Sequence, residues 1–163
     1  MSYAFNADEI FKIGLEIEKN GRAFYEAVAA RHAGTTAGKV FSELAAWETK
    51  HVELFEEMRK ALPEEARKGD VFDPGSEMAA YIKDAADNHV FVRKTDITAL
   101  AGSVATPAEA FDLALTFEKD SIVFYTAMKK LVADHLGRDK VDFLIEEEVR
   151  HVAILHREKA KLS

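Results

Sequence analysis

The chain has 163 residues, 48% of them hydrophobic and 31% charged, with three prolines and eight glycines; this is the balance of one helical domain that buries its own core, and disorder is not expected. Acidic residues outnumber basic ones 29 to 22, giving a net charge of −7, and no basic stripe stands out, so nucleic acid and anionic membranes are poor partners. The absence of cysteine excludes disulfides, zinc fingers, iron–sulfur clusters and thiol catalysis.

The opening run MSYAFNADEI lacks a basic segment followed by an apolar core, and no stretch approaches the ~18 apolar residues of a membrane span. A cytoplasmic location is therefore the expectation. Asn6 can cap a helix, Glu9 completes a capping box, and Ile10, Phe11, Leu15, Ile17, Phe24, Tyr25 and Val28 recur at helical intervals. The pattern predicts a first helix to about Arg31. The turn HAGTTAG leads into a second helix from about Ala37 to Leu62, stopped by Pro63. Two long helices joined this closely form an antiparallel hairpin.

Residues 63–105 change character, broken by Pro63, Gly69, Pro74 and Gly75, and only Glu77 to about Val90 reads as a helix. This length suits a crossover that carries the chain back along a bundle. Thr106, Pro107 and Glu109 then start a third helix, which runs to about Ala133. DHLGRD turns the chain, and a fourth helix is predicted from about Arg138 to Leu162. The expected fold is all-α: one four-helix domain over residues 1–163, with the crossover between its second and third helices.

The two halves register at an offset of 100 residues: Phe11 with Phe111, Leu15 with Leu115, Glu18 with Glu118, Tyr25 with Tyr125, Leu44 with Leu144, Glu48 with Glu148 and His51 with His151. The chain therefore reads as a duplicated helical hairpin, each half supplying one Glu and then a Glu-x-x-His. On a helix, Glu48 and His51 leave from one face a turn apart. The midpoint between Glu18 and Glu48 is residue 33, inside the turn, so folding the hairpin brings the two carboxylates to one height. An approximate two-fold axis would bring all six residues to one level. Four carboxylates in a dry interior repel one another, at several kcal/mol per uncompensated charge, and two divalent cations would cancel them. A sulfur-free set of carboxylates and imidazoles suits iron or manganese. Gly14, Gly21, Ala114 and Ser121 lie on the same face and leave room for metals and a bound oxygen species. Tyr25 and Tyr125, also on that face, are placed either to hydrogen-bond a ligating carboxylate or to serve as core tyrosines whose hydroxyls reach water.

Four segments carry a resemblance to a known family: EKNGRAFY from Glu18, ETKH from Glu48, EKDSIVFY from Glu118 and EVRH from Glu148. Over nearly its whole length the chain resembles rubrerythrin-type members of the ferritin-like superfamily. The resemblance implies a ferritin-like bundle with a carboxylate-bridged di-iron site that reacts with hydrogen peroxide or dioxygen, often in a homodimer. It implies Glu48 and Glu148 as bridging ligands, with Glu18, Glu118, His51 and His151 terminal. Typical rubrerythrins add a cysteine-ligated iron domain, which a chain without cysteine lacks, so an external electron-donor protein is expected. They also resemble one another in a further Glu one turn after the third-helix ligand. Ser121 stands there, which argues against efficient peroxide reduction. The expected function is a di-iron oxidoreductase; the alternative is iron binding or ferroxidase activity without substrate turnover, and a metal-free interaction bundle is a third reading.

Other signals point to structure. GTTAGK is too short for a phosphate-binding loop and follows a helix. His32, His89, His135 and His156 have no Glu three residues before them and read as surface or capping residues. Trp47 is expected in core or interface packing. Of the acidic runs Glu56-Glu57, Glu64-Glu65 and Glu146 to Glu148, only Glu148 is expected to face the site.

Overall fold

In the computed structural model, residues 5–88 and 96–162 are described. Helix α1 spans Ala7–Arg31, and its start is the predicted capping box: the Asn6 side chain accepts from the Glu9 N–H and the Glu9 carboxylate from the Asn6 N–H, both at 2.9 Å. His32 is its C-cap. Gly34, at φ +81°, takes the left-handed turn that glycine adopts at little cost. Thr35 then caps α2, Thr36–Ala61, by accepting from Gly38 N–H at 3.1 Å. Gly38 is required by space, because a Cβ there would lie 2.2 Å from the His32 carbonyl oxygen.

The crossover is more ordered than its breaker residues suggest. Beside α4, Glu77–Asn88, it contains α3, Glu64–Lys68, and α5, Ile97–Ser103. Periodicity cannot reveal helices of one or two turns. The expected end of α4 near Val90, and His89, fall outside the described residues. Arg59 and Arg67 from the α2–α3 region pair with Asp8 at the start of α1, the Arg59 contact being bidentate at 2.9 and 3.1 Å. At the opposite end, Arg31 donates to the carbonyls of Ala101 and Gly102 in α5 at 2.8 and 2.6 Å. The connection therefore runs the length of α1, as expected, and delivers the chain to the far end of the bundle.

Helix α6, Pro107–Leu131, starts at that far end and runs parallel to α2. Thr106 caps it, while the Glu109 carboxylate reaches one residue further back than a capping box, to the Ala105 N–H at 2.8 Å. A short 3₁₀ turn at Asp134–Leu136 and Gly137, at φ +106°, lead into α7, Arg138–Ala160. No helix among the described residues is long and apolar enough to cross a membrane.

The core divides in two along the bundle axis. One cluster gathers Ile10, Phe11, Phe55, Phe124 and Tyr125; the other gathers Phe24, Tyr25, Phe41, Phe111 and Leu155. Most of these are exchanged by the 100-residue offset, so the duplication is present in the packing as well as in the text. Each fully buried large side chain contributes about 1.5–3 kcal/mol. The two clusters together can thus sustain a polar layer between them.

Replacing Gly38 with Ala tests the close approach at the first turn. In an unhindered helix this change stabilises by about 1 kcal/mol. Here the contact is with backbone, so chemical denaturation is expected to show a loss of about 1–3 kcal/mol.

Candidate metal centre

The polar layer consists of Glu18 from α1, Glu48 and His51 from α2, Glu118 from α6, and Glu148 and His151 from α7, all between 1% and 4% exposed. The sequence reading anticipated all six at one level, and they meet there. Their ligand atoms form two groups, each with members within 4.8 Å of one another: Glu18, Glu48, His51 and Glu148, and Glu48, Glu118, Glu148 and His151. Glu48 and Glu148 belong to both. The Nδ1 atom of His51 lies 3.2 Å from Glu18 and 3.1 Å from Glu148, while that of His151 lies 3.4 Å from Glu118 and 2.9 Å from Glu148. The two imidazoles stack, with centroids 5.5 Å apart and planes at 24°.

One oxygen of each shared carboxylate, Glu48 Oε1 and Glu148 Oε1, is buried without a hydrogen-bond partner. Histidine nitrogens approach these atoms at 3.5 and 3.1 Å but outside hydrogen-bonding geometry. Buried carboxylate oxygens left in this state are costly unless a cation completes them. The residues fit a divalent metal pair: hard oxygen donors in excess, two imidazole nitrogens and no sulfur.

Without metal, the layer balances its charge by sharing protons. Burial and the neighbouring Glu18 and Glu148 carboxylates push Glu48 well above the usual carboxylate range. Burial and Glu148 push Glu118 up to about 8. Glu148 goes the other way: burial favours its neutral form, but His51 and His151 outweigh it and hold it well below the usual range. Burial opposes charge on the histidines, yet Glu18 and Glu148 raise His51 well above its ordinary value, and Glu118 and Glu148 raise His151 to about 10.

The tyrosines bind carboxylates in a crossed arrangement. Tyr25 on α1 donates to Glu118 on α6 at 2.6 Å, and Tyr125 on α6 donates to Glu18 on α1. Burial first, then Glu118 for Tyr25 and Glu18 for Tyr125, pushes both phenols well above the usual tyrosine range, so they stay protonated donors. Each tyrosine thus ties one half of the duplication to the other.

The small residues divide by role. Gly21 and Ser121 line a cavity of about 10 Å³ beside Glu18, Glu48 and Glu118. That volume is about what one water molecule needs. Gly14 does not leave room at the site: a Cβ there would meet the Phe55 ring at 2.5 Å. Two further positions differ from expectation. Glu147 is buried, 2% exposed, and paired with Arg150 instead of solvated. Trp47 packs edge-on against His151, with ring centroids 6.2 Å apart. At 38% exposure it lies outside the core in which packing was expected. His135 and His156 are exposed, as anticipated.

No family model matches the chain, and neither does any curated protein. Among solved structures it is similar to a protein from Thermotoga maritima described as a candidate ferritin-like diiron-carboxylate protein, with a TM-score of 0.77, 21% identity and 100% of both chains covered. The fold is accordingly the ferritin-like four-helix bundle.

Folded Glu118 and His151 keep protons that an unfolded chain releases at about 4.3 and 6.5. The associated stability is present in mild acid and is lost as pH rises through about 8 and then about 10. The melting temperature of chelator-treated protein should therefore fall between about pH 6 and pH 9, with a shallower slope in Glu118→Gln; a flat profile would contradict proton sharing. Tyr25→Phe removes the donor to Glu118, and metal titration should show affinity reduced about 10–100-fold.

Proposed function

We propose that this chain is a rubrerythrin-like di-iron oxidoreductase that reduces hydrogen peroxide or reacts with dioxygen. The observation that supports it most directly is the pair of buried ligand groups sharing Glu48 and Glu148. In this reading Glu18, Glu48, His51 and Glu148 would hold one iron and Glu48, Glu118, Glu148 and His151 the other, with Glu48 and Glu148 common to both groups. Iron there supplies two one-electron changes, which match the two electrons that convert peroxide to water.

The chain's own residues prepare that chemistry. His51 and His151 present Nδ1 to the carboxylates. The Tyr25 and Tyr125 hydroxyls keep Glu118 and Glu18 oriented, as hydrogen bonds to ligands commonly do. The two apolar clusters keep bulk water from the layer, and the Gly21–Ser121 cavity leaves a small space beside Glu18, Glu48 and Glu118. With no cysteine in the chain, electrons come from an external donor protein. A second reading, iron oxidation and handling without turnover, is favoured by one observation: beside Glu18, Glu48 and Glu118 the cavity is lined at position 121 by a serine, where a further carboxylate would be needed to follow a change in metal charge.

Anaerobic Fe(II) titration followed by stopped-flow mixing separates these readings. Two irons per chain and faster oxidation by peroxide support the reductase, while faster oxidation by dioxygen supports iron handling. Glu48→Ala should lose both metals, because a bridging ligand is shared, and unchanged metal content in that variant would falsify the ligand assignment. Metal should also raise the melting temperature through binding to the folded state alone.

A further inference from the structure

Against a net charge of −7, one surface of the bundle has the opposite sign. Where α1, α2 and α3 meet, a cleft of about 430 Å³ is lined by Leu15, Lys19, Glu56, Arg59, Lys60 and Arg67. Four of these six side chains are cationic. No basic run marks them in the sequence, because they come from three helices and folding alone collects them. Two carboxylates answer them: Glu56 from the wall of the cleft and Asp8 from the first turn of α1. Glu56 stands 4.0 Å from Lys19, at the outer limit of an ion pair, and both side chains are well exposed. Asp8 is divided between two guanidiniums, bidentate to Arg59 at 2.9 and 3.1 Å and 3.5 Å from Arg67. The Arg59 hydrogen bonds outweigh burial and, with Arg67 and Lys12 adding to them, hold the Asp8 carboxyl below the usual carboxylate range. Lys60 is exposed and has no ion pair among the described residues.

The arginines are fixed by the protein itself. Arg59 is held by its fork on Asp8, and Arg67 donates to the Leu62 carbonyl at 3.2 Å and to the Arg59 carbonyl. A guanidinium has five N–H groups, so each keeps donors over for a second acceptor. Lys19 and Lys60, on flexible stems, can close on that acceptor from α1 and α2. We propose that this cleft binds a small organic anion carrying two or more oxyanion charges, of the phosphate monoester or polycarboxylate class. Pre-placed guanidiniums suit the oxygens of either group, and the cleft has the size of a small-molecule site. Leu15, almost wholly buried, gives its floor an apolar spot for the carbon skeleton. An extended polyanion does not fit, since the cations are confined to one cleft and the rest of the chain carries the acidic excess. The site uses none of the Glu and His ligands, so it stands apart from the proposed metal chemistry. A bound anion would tie α1, α2 and α3 together through Lys19, Lys60 and Arg67.

Calorimetric titration of the full chain at low ionic strength, with glycerol 3-phosphate and separately with tricarballylate, tests this. At least one probe is expected to bind once per chain with a Kd below about 1 mM. Binding should weaken as salt is added and should raise the melting temperature. Lys60→Ala and Arg67→Ala should each lower the affinity about tenfold or more, the usual loss for one charge-assisted contact. Lys129→Ala, which removes a cation paired with Asp142 on the other hairpin, should leave it unchanged. Lys60 is exposed and outside every ion pair that holds α3, so its variant keeps the test readable if Arg67→Ala is unstable. Preference for glycerol 3-phosphate would assign the ligand to phosphate esters, and preference for tricarballylate to polycarboxylates. Neither heat nor a melting shift from either probe at about ten times that concentration would overturn the site. So would unchanged affinity in Lys60→Ala, or an equal loss in Lys129→Ala, which would mean a diffuse ion atmosphere. Metal titration of Lys60→Ala should match the wild type, which keeps this result separate from that of the metal centre.

Discussion

Mutual repulsion among carboxylates gathered at one level of a helical interior is the constraint on which this structure turns. Each uncompensated buried charge costs several kcal/mol, comparable to an appreciable part of a domain's whole stability. The chain meets that cost in two ways. Protons shared with His51 and His151 reduce the charge of the metal-free layer, and apolar clusters on either side of it supply the folding energy. Metal would replace the protons, completing the carboxylate oxygens that no side chain satisfies.

Duplication explains why such a layer is symmetric. Each hairpin brings one Glu opposite a Glu-x-x-His, and two hairpins about an axis make two equivalent groups joined by their common carboxylates. The crossed tyrosine bonds run from α1 to α6 and back, so neither half completes its own site. Departures from the symmetry occur in the core, as at Phe55 and Leu155, and beside the ligands. Gly21 faces Ser121 at the small cavity, and Trp47 has Glu147 as its counterpart. The symmetric part is the pair of ligand groups with their shared carboxylates.

Much of this was legible because helical spacing is local. Capping groups at Asn6 and Thr106 and breakers such as Pro63 act within a turn or two, so the long helices have nearly their predicted bounds. Glu18, Glu48, His51 and their counterparts were recoverable from spacing, turn midpoint and repeat, since a short turn gives the hairpin only one register. Short helices α3 and α5 escaped this reading because their order comes from contacts with α1, made by Arg67 and Arg31, and not from their own periodicity.

The amino-acid sequence by itself determined which residues form the polar layer and that they occur twice, because both properties follow from positions along helices. Only the tertiary structure decided which residue meets which across helices. Tyr25 reaches Glu118 and not Glu18, Phe55 fills the space above Gly14, and Trp47 lies against His151 from the other half. Spacing specifies the face and height of a side chain, but its partner on another helix depends on how the two hairpins are rotated and packed, a choice made by the whole core at once.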